Sequence, residues 1–498
     1  MEFFYKSTRG SKNYINASTA ILKGIAEDGG LYVPSFIPKI NNLDSLIGLD
    51  YKDLAYEVLS KFLNDFTEDE IKYCIGKAYD EKFEHEEIAP IRKVGDKYFL
   101  ELFHGPTLAF KDMALSILPY LMKISSEKCK MNKDIVILTA TSGDTGKAAL
   151  EGFSNVEDIK IMVFYPQKGV SEIQKRQMVT TKGENTCVLG INGNFDDAQN
   201  GVKEIFNDKE FNIKLNENGY VLSSANSINI GRLVPQIVYY FYSYLTLVKN
   251  KEVEIGEKIN VVVPTGNFGN ILAAFYAKEM GLPINKLICA SNENNVLYDF
   301  INSGKYDKRR EFITTISPSM DILISSNLER LLYQLSKDEN CVNSLMNKLS
   351  EEGYYQVSDN IKDKLKDFKA YYAKEEEVLD SIENNYNKYN YVLDPHTAVA
   401  DVAYNKYKID SLDNHKTIIV STASPFKFTR SVFERLNKEA LDKDDFKLVY
   451  ELSDLAKLKI PKGIENLESR EIIHNKIYEK QDMRESIIEF LNIPGGKK

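Results

Sequence analysis

Between about residues 97 and 303 the chain alternates short apolar runs with longer amphipathic segments. The apolar runs predict strands at residues 135–140, 159–165, 187–191, 220–223, 259–264 and 287–290. The segments between them have helical spacing, at residues 146–153, 172–181, 195–207, 231–248 and 270–281. Short strands that are apolar on both faces and alternate with helices indicate parallel sheets covered by helices on both sides. We therefore expect an α/β fold that binds ligands at the carboxyl ends of its strands.

Three regions surround or interrupt the predicted core. Residues 1–85 are mostly helical in spacing and predict a small N-terminal module, which contains a turn and a short strand at AEDGGLYVP. Residues 331–389 are rich in Lys, Glu, Asn and Tyr, which favours an exposed helical insert. Residues 86–330 and 390–460 form the predicted core, and the charged residues 461–498 form a tail. In the module, the polar residues Tyr5, Ser7, Thr8 and Arg9 could reach a neighbouring site, but we expect them to be exposed.

Composition narrows the class of protein. The net charge of −9 is spread along 498 residues without a basic face, so nucleic acid is not an expected partner. The longest uncharged apolar run, residues 233–248, is shorter than the roughly 20 residues of a membrane span. Five widely spaced cysteines without a CxxC pair or a Cys/His cluster support neither a disulfide framework nor a metal site. Because the first residues also lack a secretory pattern, we expect a cytoplasmic protein.

The stretch FHGPTLAFKDMA contains the first candidate for chemistry. An apolar run at residues 98–103 leads through the turn residues 104–107 into a helical pattern from Leu108 to about Ile124, which puts Lys111 in the first turn of a helix. The helix N-terminus is partly positive, and both that charge and burial favour the neutral, nucleophilic amine. Lys111 is therefore suited to a Schiff base with an aldehyde cofactor; the alternative is a solvated surface lysine.

Three loops between strands and helices are candidates for anion binding. TATSGDTG (139–146) lacks the spacing of a nucleotide phosphate loop, because only two residues separate its glycines and Ala148 follows Lys147; it fits a small anion or a plain turn. PTGNFGNI (264–271) places two glycines before a helix N-terminus, which suits a phosphate. SSANSINIGR (223–232) puts Arg232 near a helix start, where either a bound anion or solvent exposure would explain it. Two phosphate-sized sites would serve one cofactor and one substrate.

Five motifs of this chain resemble those of threonine synthases: FHGPTLAFKD, ATSGDTG, NSINIGR, PTGNFGN and SPSMDILISSNLER. The YxSTRG and EDGGLYVP stretches are similar to the longer subgroup of that family, and the resemblance runs from Tyr5 to about Phe428. It implies two parallel-sheet lobes like those of the tryptophan synthase β subunit and the cofactor pyridoxal 5'-phosphate. It also implies a lyase that converts O-phospho-L-homoserine and water into L-threonine and phosphate, as a monomer or weak homodimer.

The resemblance also implies roles for individual residues. Lys111 would form the Schiff base and move protons, Asp144 would face the 3'-oxygen of the pyridine ring, and Thr422 would face the ring nitrogen. The cofactor phosphate would be held by Gly266, Asn267, Phe268, Gly269 and Asn270. The substrate phosphate would be held by Thr145, Asn226, Ser227 and Arg232.

Some positions leave questions open. Lys147 replaces a small residue of the family and would either add a charge beside the substrate or point away from it, and Ser424 replaces a histidine. His104 and His396 are weaker candidates for acid–base chemistry. Two other functions remain possible at this point, a phospho-lyase or dehydratase acting on a related phosphorylated amino acid and a non-catalytic ligand-binding relative.

Overall fold

The computed structural model describes residues 2–11, 13–141, 143–167, 170–437 and 444–494, so that Ser142 of the TATSGDTG loop lies outside the described residues. Its strands are β1 (Tyr5–Ser7), β2 (Tyr32–Pro34), β3 (Ile91–Val94), β4 (Lys97–Glu101), β5 (Asp134–Ala140), β6 (Ile159–Pro166), β7 (Thr186–Ile191), β8 (Tyr220–Ser223), β9 (Ile259–Pro264), β10 (Ile284–Ser291), β11 (Lys305–Asp307), β12 (Tyr354–Gln356), β13 (Phe368–Tyr372), β14 (Thr417–Ser421) and β15 (Ile477–Tyr478).

Its α-helices are α1 (Ala17–Lys23), α2 (Tyr51–Leu59), α3 (Glu68–Ala78), α4 (Asp112–Leu115), α5 (Leu118–Lys128), α6 (Asp144–Phe153), α7 (Glu172–Val179), α8 (Phe195–Asn207), α9 (Lys209–Glu217), α10 (Ile230–Leu233), α11 (Pro235–Lys249), α12 (Gly269–Met280), α13 (Val296–Ser303), α14 (Leu328–Ser336), α15 (Glu339–Glu351), α16 (Asp359–Lys364), α17 (Glu375–Tyr389), α18 (Pro395–Ser411), α19 (Thr429–Leu436), α20 (Asp445–Ala456) and α21 (Met483–Phe490). Short 3-10 helices lie at Asp44–Leu46, Pro318–Met320, Leu365–Asp367, Pro425–Phe428, Leu467–Ser469 and Lys480–Asp482.

The larger sheet has six strands in the order β13-β10-β9-β14-β4-β3. Its strands are parallel from β13 to β4, and β3 pairs antiparallel with β4. Alternate residues of β9 enter different apolar clusters: Val262 packs with residues of α17 and α18, whereas Val261 and Val263 pack with residues of α11 and α12. The sheet is thus covered on both faces, as predicted from its uniformly apolar strands.

The smaller sheet is parallel throughout, in the order β15-β7-β6-β5-β8. Val136 and Leu138 of β5 face residues of α8, α9 and α21, whereas Ile135 and Ile137 face the other cluster, which contains residues of α5 and α6. The predicted α/β fold with two parallel-sheet lobes is confirmed. The carboxyl ends of both sheets lead into the loops that carry the candidate chemistry.

The N-terminal module shares its core with the two lobes. Its buried residues belong to the same apolar cluster as the facing sides of both sheets, and Tyr51 on α2 contacts Tyr242 on α11 edge to face. Its polar residues are not exposed as expected: Tyr5, Ser7 and Thr8 are buried, and Arg9 forms an ion pair with Glu329. For Thr8 and Arg9 the reason is that the Glu329 carboxylate, from a distant helix, accepts hydrogen bonds from both side chains, which local sequence cannot reveal.

The segment 331–389 differs from the predicted exposed helical insert. It contains β12, which pairs with β11, and β13, which forms an edge of the larger sheet. Tyr355, Phe368 and Ala370 in these strands are buried. The charged composition belongs to the exposed faces of α15, α16 and α17 and obscured the two short strands between them.

The predicted tail also contributes to the core. β15 extends the smaller sheet beside β7, and α21 places Met483 and Ile487, with Leu491 directly after the helix, at helical spacing in the apolar cluster that contains residues of α8. The charged residues Arg484, Glu485 and Glu489 lie between them, so the average composition hid a regular apolar face. No helix among the residues described here is long and apolar enough to cross a membrane.

Candidate active site

Lys111 lies in the turn that joins β4 to α4, at the carboxyl edge of the larger sheet. Asp112 closes this turn by accepting hydrogen bonds from the backbone N–H and the hydroxyl of Thr107, at 2.8 and 2.6 Å. Leu108 has a φ of 61°, a left-handed conformation that a right-handed helix does not contain. The helix predicted from Leu108 therefore begins at Asp112, and Lys111 immediately precedes it.

The Lys111 amine is enclosed between two polar side chains from distant parts of the chain. Its Nζ lies 3.4 Å from Asp144 Oδ2 and 3.2 Å from Ser319 Oγ. Burial lowers the pKa of this amine; the charges of Lys427 and Arg232 act in the same direction, and Asp144 opposes them. With 13% of its side chain exposed, Lys111 is not the solvated surface lysine that local sequence also allowed.

Asp144 begins α6 and brings a carboxylate from the smaller lobe to Lys111. Its Oδ1 accepts a hydrogen bond from Gln174 Nε2 at 2.8 Å and pairs with Lys427 Nζ at 3.0 Å. Its Oδ2 accepts a hydrogen bond from Ser319 Oγ at 2.9 Å. Burial raises the pKa of this carboxyl, but Lys427 and Lys111 outweigh burial and hold the pKa well below its usual range. The carboxylate is therefore ionised and held at both oxygens.

Sequence reasoning missed three of these side chains. Lys427 is buried, and its Nζ also donates to the carbonyl of Thr107 at 2.7 Å, so it joins the chain after β14 to the turn before Lys111. Ser319 lies within the SPSMD motif, and that motif was the only sequence signal for it. Gln174 lies in an ordinary helical pattern and carries no such signal.

The loop from Thr265 to Asn270 has the geometry of an anion cradle. Phe268 is buried in a left-handed conformation with a φ of 62°, and α12 begins immediately after it. In the described part of the chain, the N–H groups of residues 266–270 donate to no protein acceptor. The Nδ2 of Asn270 is buried without a hydrogen-bond partner, while its Oδ1 accepts from the hydroxyls of Tyr239 and Tyr240 at 2.7 and 2.5 Å. The loop thus presents donors that the protein does not use.

Gly266 fits tightly in this loop, whereas Gly269 does not. A Cβ on Gly266 would lie 2.7 Å from the carbonyl oxygen of Ser319. A Cβ on Gly269 would meet its nearest neighbour at 3.6 Å, an ordinary contact distance. The first glycine is therefore required by the packing of the protein, and the second leaves room above the helix N-terminus.

The segment before α11 brings a second set of donors. Arg232 is 4% exposed; one of its NH groups donates to Ala225 O at 3.0 Å, and its Nε has no partner among the described residues. Burial lowers the pKa of Arg232 to about 10. Ser227 and Thr145 are half-buried, and Asn226 is exposed. Solvent exposure, one of the two explanations for Arg232, is therefore excluded.

The end of β14 lies beside the lysine turn. The carbonyl of Thr422 accepts a hydrogen bond from Phe110 N–H at 2.8 Å, which places Thr422 next to the residue before Lys111. The Ser424 N–H donates to Leu108 O at 3.0 Å, and its Oγ accepts from Phe426 N–H at 3.4 Å. Ser424 thus caps the 3-10 helix that carries Lys427.

Lys147 and His104 both point away from the Lys111 amine. Lys147 is buried, and its Nζ pairs with Glu151 and donates to Thr181 Oγ1 at 3.0 Å. Of the two directions that the sequence left open, the side chain takes the one away from the site. His104 Nε2 lies 2.9 Å from Glu101 Oε2, and Glu101 also accepts from Tyr391. The Lys111 amine contacts neither residue.

Two family models match the chain. "Threonine synthase N terminus" matches residues 4–79, and "Pyridoxal-phosphate dependent enzyme" matches residues 88–423. The chain is 42% identical to human "Threonine synthase-like 1" over 87% of this chain and 60% of that protein, so it spans about three fifths of that relative. It is 37% identical to the threonine synthase of Saccharomyces cerevisiae over 96% of this chain and 98% of the yeast protein.

The fold agrees with a solved structure. The crystal structure of pyridoxal-phosphate-bound threonine synthase from Brucella melitensis superposes with a TM-score of 0.88 at 34% identity, over 98% of this chain and 99% of the other. The match includes the N-terminal module and both lobes. Together, these findings show that the chain belongs to the threonine synthase family of pyridoxal-phosphate-dependent enzymes.

Proposed function

We propose that this protein is a threonine synthase, which converts O-phospho-L-homoserine and water into L-threonine and phosphate with pyridoxal 5'-phosphate. The observation that carries the proposal is a buried lysine amine of lowered pKa near two sets of unused donors. One set is the cradle at residues 266–270, and the other is the guanidinium of Arg232. A phosphorylated cofactor and a phosphorylated substrate require two such sites.

The residues present fit the cofactor. Lys111 would bind it covalently through Nζ, and the N–H groups of residues 266–270 with Asn270 Nδ2 would bind its phosphate. Asp144, ionised and held at both oxygens, would face the ring oxygen, and Thr422 would face the ring nitrogen. When bound, the cofactor supplies an electron sink that acidifies the carbon-bound protons of the amino acid.

Lys111 would be the base and acid of the reaction. A free lysine amine has a pKa near ~10.4 and is a poor base at neutral pH, whereas burial lowers the pKa of this amine. Nζ would take a proton from the α carbon, pass it on, and then take one from the β carbon. One proton would go to the γ carbon that phosphate leaves, which becomes the methyl group, and one would return to the α carbon after the hydroxyl of water has added at the β carbon and its proton has gone to the phosphate. Asp144 and Ser319, both within 3.4 Å, would hold Nζ through these transfers.

Arg232 would fix the phosphate of the substrate. A buried guanidinium without a carboxylate partner is costly, and a dianionic phosphate would compensate it through bidentate hydrogen bonds. Thr145, Asn226 and Ser227 would add neutral donors. Binding the phosphate as a dianion also suits its departure from the γ carbon, because the charge that develops on the leaving group is already paired.

An absorbance and product assay tests the proposal. The purified protein loaded with pyridoxal 5'-phosphate should show a visible band that shifts on addition of O-phospho-L-homoserine, with release of phosphate and threonine in equal amounts. Lys111→Ala should lose the band and the turnover, and full turnover in this variant would contradict the assignment. Release of 2-oxobutyrate instead of threonine would identify a phospho-lyase. Absence of the band in the loaded wild-type protein would favour a non-catalytic relative.

We further propose a cytoplasmic enzyme that is a monomer or a weak homodimer. The location is supported by five cysteines that are free, as expected in a reducing compartment. The assembly state rests on the resemblance to the longer threonine synthases. Fractionation of cells and sedimentation at several protein concentrations test the two statements separately.

A further inference from the structure

A chain of hydrogen bonds runs from Lys111 to the start of α18. The Lys111 amine lies 3.2 Å from Ser319 Oγ, and the N–H of Ser319 donates to His396 Nε2 at 3.2 Å. The other ring nitrogen of His396 lies 3.0 Å from Asp394 Oδ1. His396 and Asp394 are buried, and the His396 ring packs against Phe428 with 4.8 Å between ring centroids. The proposed function above gives this histidine no role.

The partners of His396 fix its tautomer. A backbone N–H can only donate, so Nε2 must be the acceptor, and Nδ1 must carry the hydrogen that is donated to Asp394. Asp394 is itself held, because it also accepts from the N–H groups of His396 and Thr397, at 2.9 and 3.3 Å, as the N-cap of α18. Both ring nitrogens are thus occupied, and neither can exchange a proton with a substrate.

Ser319 connects the two lobes at Lys111. It lies in the 3-10 helix Pro318–Met320, on the side of the larger sheet, and its hydroxyl donates to Asp144 on α6 of the smaller lobe at 2.9 Å. Its oxygen is also within reach of the Lys111 amine. The same residue fits against Gly266, whose missing Cβ makes room for the Ser319 carbonyl. A shift of Ser319 would therefore disturb Lys111 and Asp144 together.

We propose that His396 is a positioning residue: its Nε2, oriented by Asp394, fixes Ser319 so that one hydroxyl holds the Lys111 amine and the Asp144 carboxylate in register across the two lobes. The consequence for the reaction rests on the proposed role of Lys111. The contact itself can be tested without the cofactor.

The test compares His396→Gln, whose amide oxygen can replace Nε2 as the acceptor, with His396→Leu, which fills the space without an acceptor. Ser319→Ala and the Ser319→Ala/His396→Leu double variant complete a cycle. In the protein without cofactor, the rate at which trinitrobenzenesulfonate labels Lys111 is measured by peptide mass spectrometry. Cofactor dissociation constants and thermal unfolding are measured alongside.

His396→Leu and Ser319→Ala should each speed labelling of Lys111 about tenfold, because the amine loses the hydrogen bond that holds it. The double variant should be no faster than Ser319→Ala alone, and His396→Gln should stay within about twofold of wild type. Additive effects in the double variant, or equal effects of Gln and Leu, would show that His396 does not act through Ser319. If His396→Leu does not fold, an unchanged labelling rate in Ser319→Ala overturns the proposal.

The two proposals fail in different ways. If the wild-type protein makes no threonine, the proposed function is wrong, but the labelling cycle still reports the contact. If wild type makes threonine and the labelling rates do not change as expected, only the positioning proposal is wrong.

Discussion

Two buried arginines occupy the same local sequence context but have opposite surroundings. Arg232 and Arg330 each follow an asparagine by three residues, Asn229 and Asn327, and each asparagine precedes a helix, α10 or α14. Burial lowers the pKa of both guanidinium groups to about 10. The guanidinium of Arg330, however, is fully engaged with the protein, whereas that of Arg232 is not.

All three nitrogens of the Arg330 guanidinium donate to acceptors of the protein. Its Nε donates to Tyr32 O at 2.9 Å, and its two NH groups donate to Asn327 Oδ1 at 2.5 Å and Ile228 O at 2.6 Å. Before α10 the corresponding Asn229 Oδ1 accepts from Gly231 N–H instead, at 2.9 Å. Among the described residues, the Arg232 guanidinium donates to Ala225 O alone.

The difference teaches how to interpret a buried charge. We call Thr8, Arg9, Tyr32, Glu329 and Arg330 the module joint. We call Thr145, Asn226, Ser227 and Arg232, the proposed site of the substrate phosphate, the anion pocket. In the module joint, the protein supplies the acceptors, so the charge belongs to the structure. In the anion pocket, Arg232 Nε has no partner among the described residues, so the charge is available to a ligand. Four predictions test this distinction, from the largest expected effect to the smallest.

Arg330→Leu should destabilise the protein most. It leaves Tyr32 O, Ile228 O and Asn327 Oδ1 buried without a donor, and we expect the free energy of unfolding to fall by about 3 kcal/mol or more. Urea titration of the protein without cofactor measures this. Arg330→Lys, which keeps the charge but not the planar set of donors, should lie between Leu and wild type. An unchanged urea midpoint in Arg330→Leu would mean that the hydrogen bonds of Arg330 do not stabilise the folded protein.

Arg232→Met should show the opposite pattern. Removing an uncompensated buried charge offsets the one hydrogen bond lost, so the urea midpoint should stay the same or rise. The KM for O-phospho-L-homoserine should increase, because a charge-assisted hydrogen bond contributes about 1.5–3 kcal/mol. Arg232→Lys should recover part of that loss. A variant that loses stability and keeps its KM would assign Arg232 to the structure.

Inorganic phosphate should stabilise only the protein whose anion pocket is intact. With the cofactor bound, so that the cradle at residues 266–270 is filled, phosphate at ten times its dissociation constant should add about 1.4 kcal/mol. Thermal unfolding with phosphate or chloride at equal ionic strength measures this, with Arg232→Met as control. An equal response in Arg232→Met would locate the phosphate elsewhere.

The two arginines also mark the limit of what sequence can predict. Lys111 and the cradle at residues 266–270 could be found because a parallel sheet brings the ends of its strands to one edge. Ser319, Lys427 and Gln174 could not, because they reach Asp144 from three distant segments whose approach depends on how the lobes pack. For the same reason NIGR and NLER look alike until the acceptors around each guanidinium are known.

Glu329→Gln should have the smallest effect, and it tests whether the two regions are separable. The Glu329 carboxylate accepts from Arg9 Nε and NH2, at 2.9 and 2.8 Å, and the Arg9 side chain is 25% exposed. The amide keeps one acceptor but sets an NH2 group against a donor of Arg9. We expect a loss of about 0.5–1 kcal/mol in urea that shrinks at high salt, because a partly exposed ion pair is screened.

The KM of Glu329→Gln for O-phospho-L-homoserine tests whether the module joint affects the anion pocket. Asn327, which accepts from Arg330, donates from Nδ2 to Ser227 O at 3.2 Å and to Asn267 O at 3.1 Å. The module joint is thus connected through Asn327 to the backbone of both segments proposed to bind phosphate. If those contacts only support the backbone, Glu329→Gln keeps its KM within about twofold, since the loss at Glu329 is small. A KM that rises with an unchanged urea midpoint would instead mean that the N-terminal module adjusts the anion pocket through Asn327. Arg330 would then affect the binding of the same ligand as Arg232.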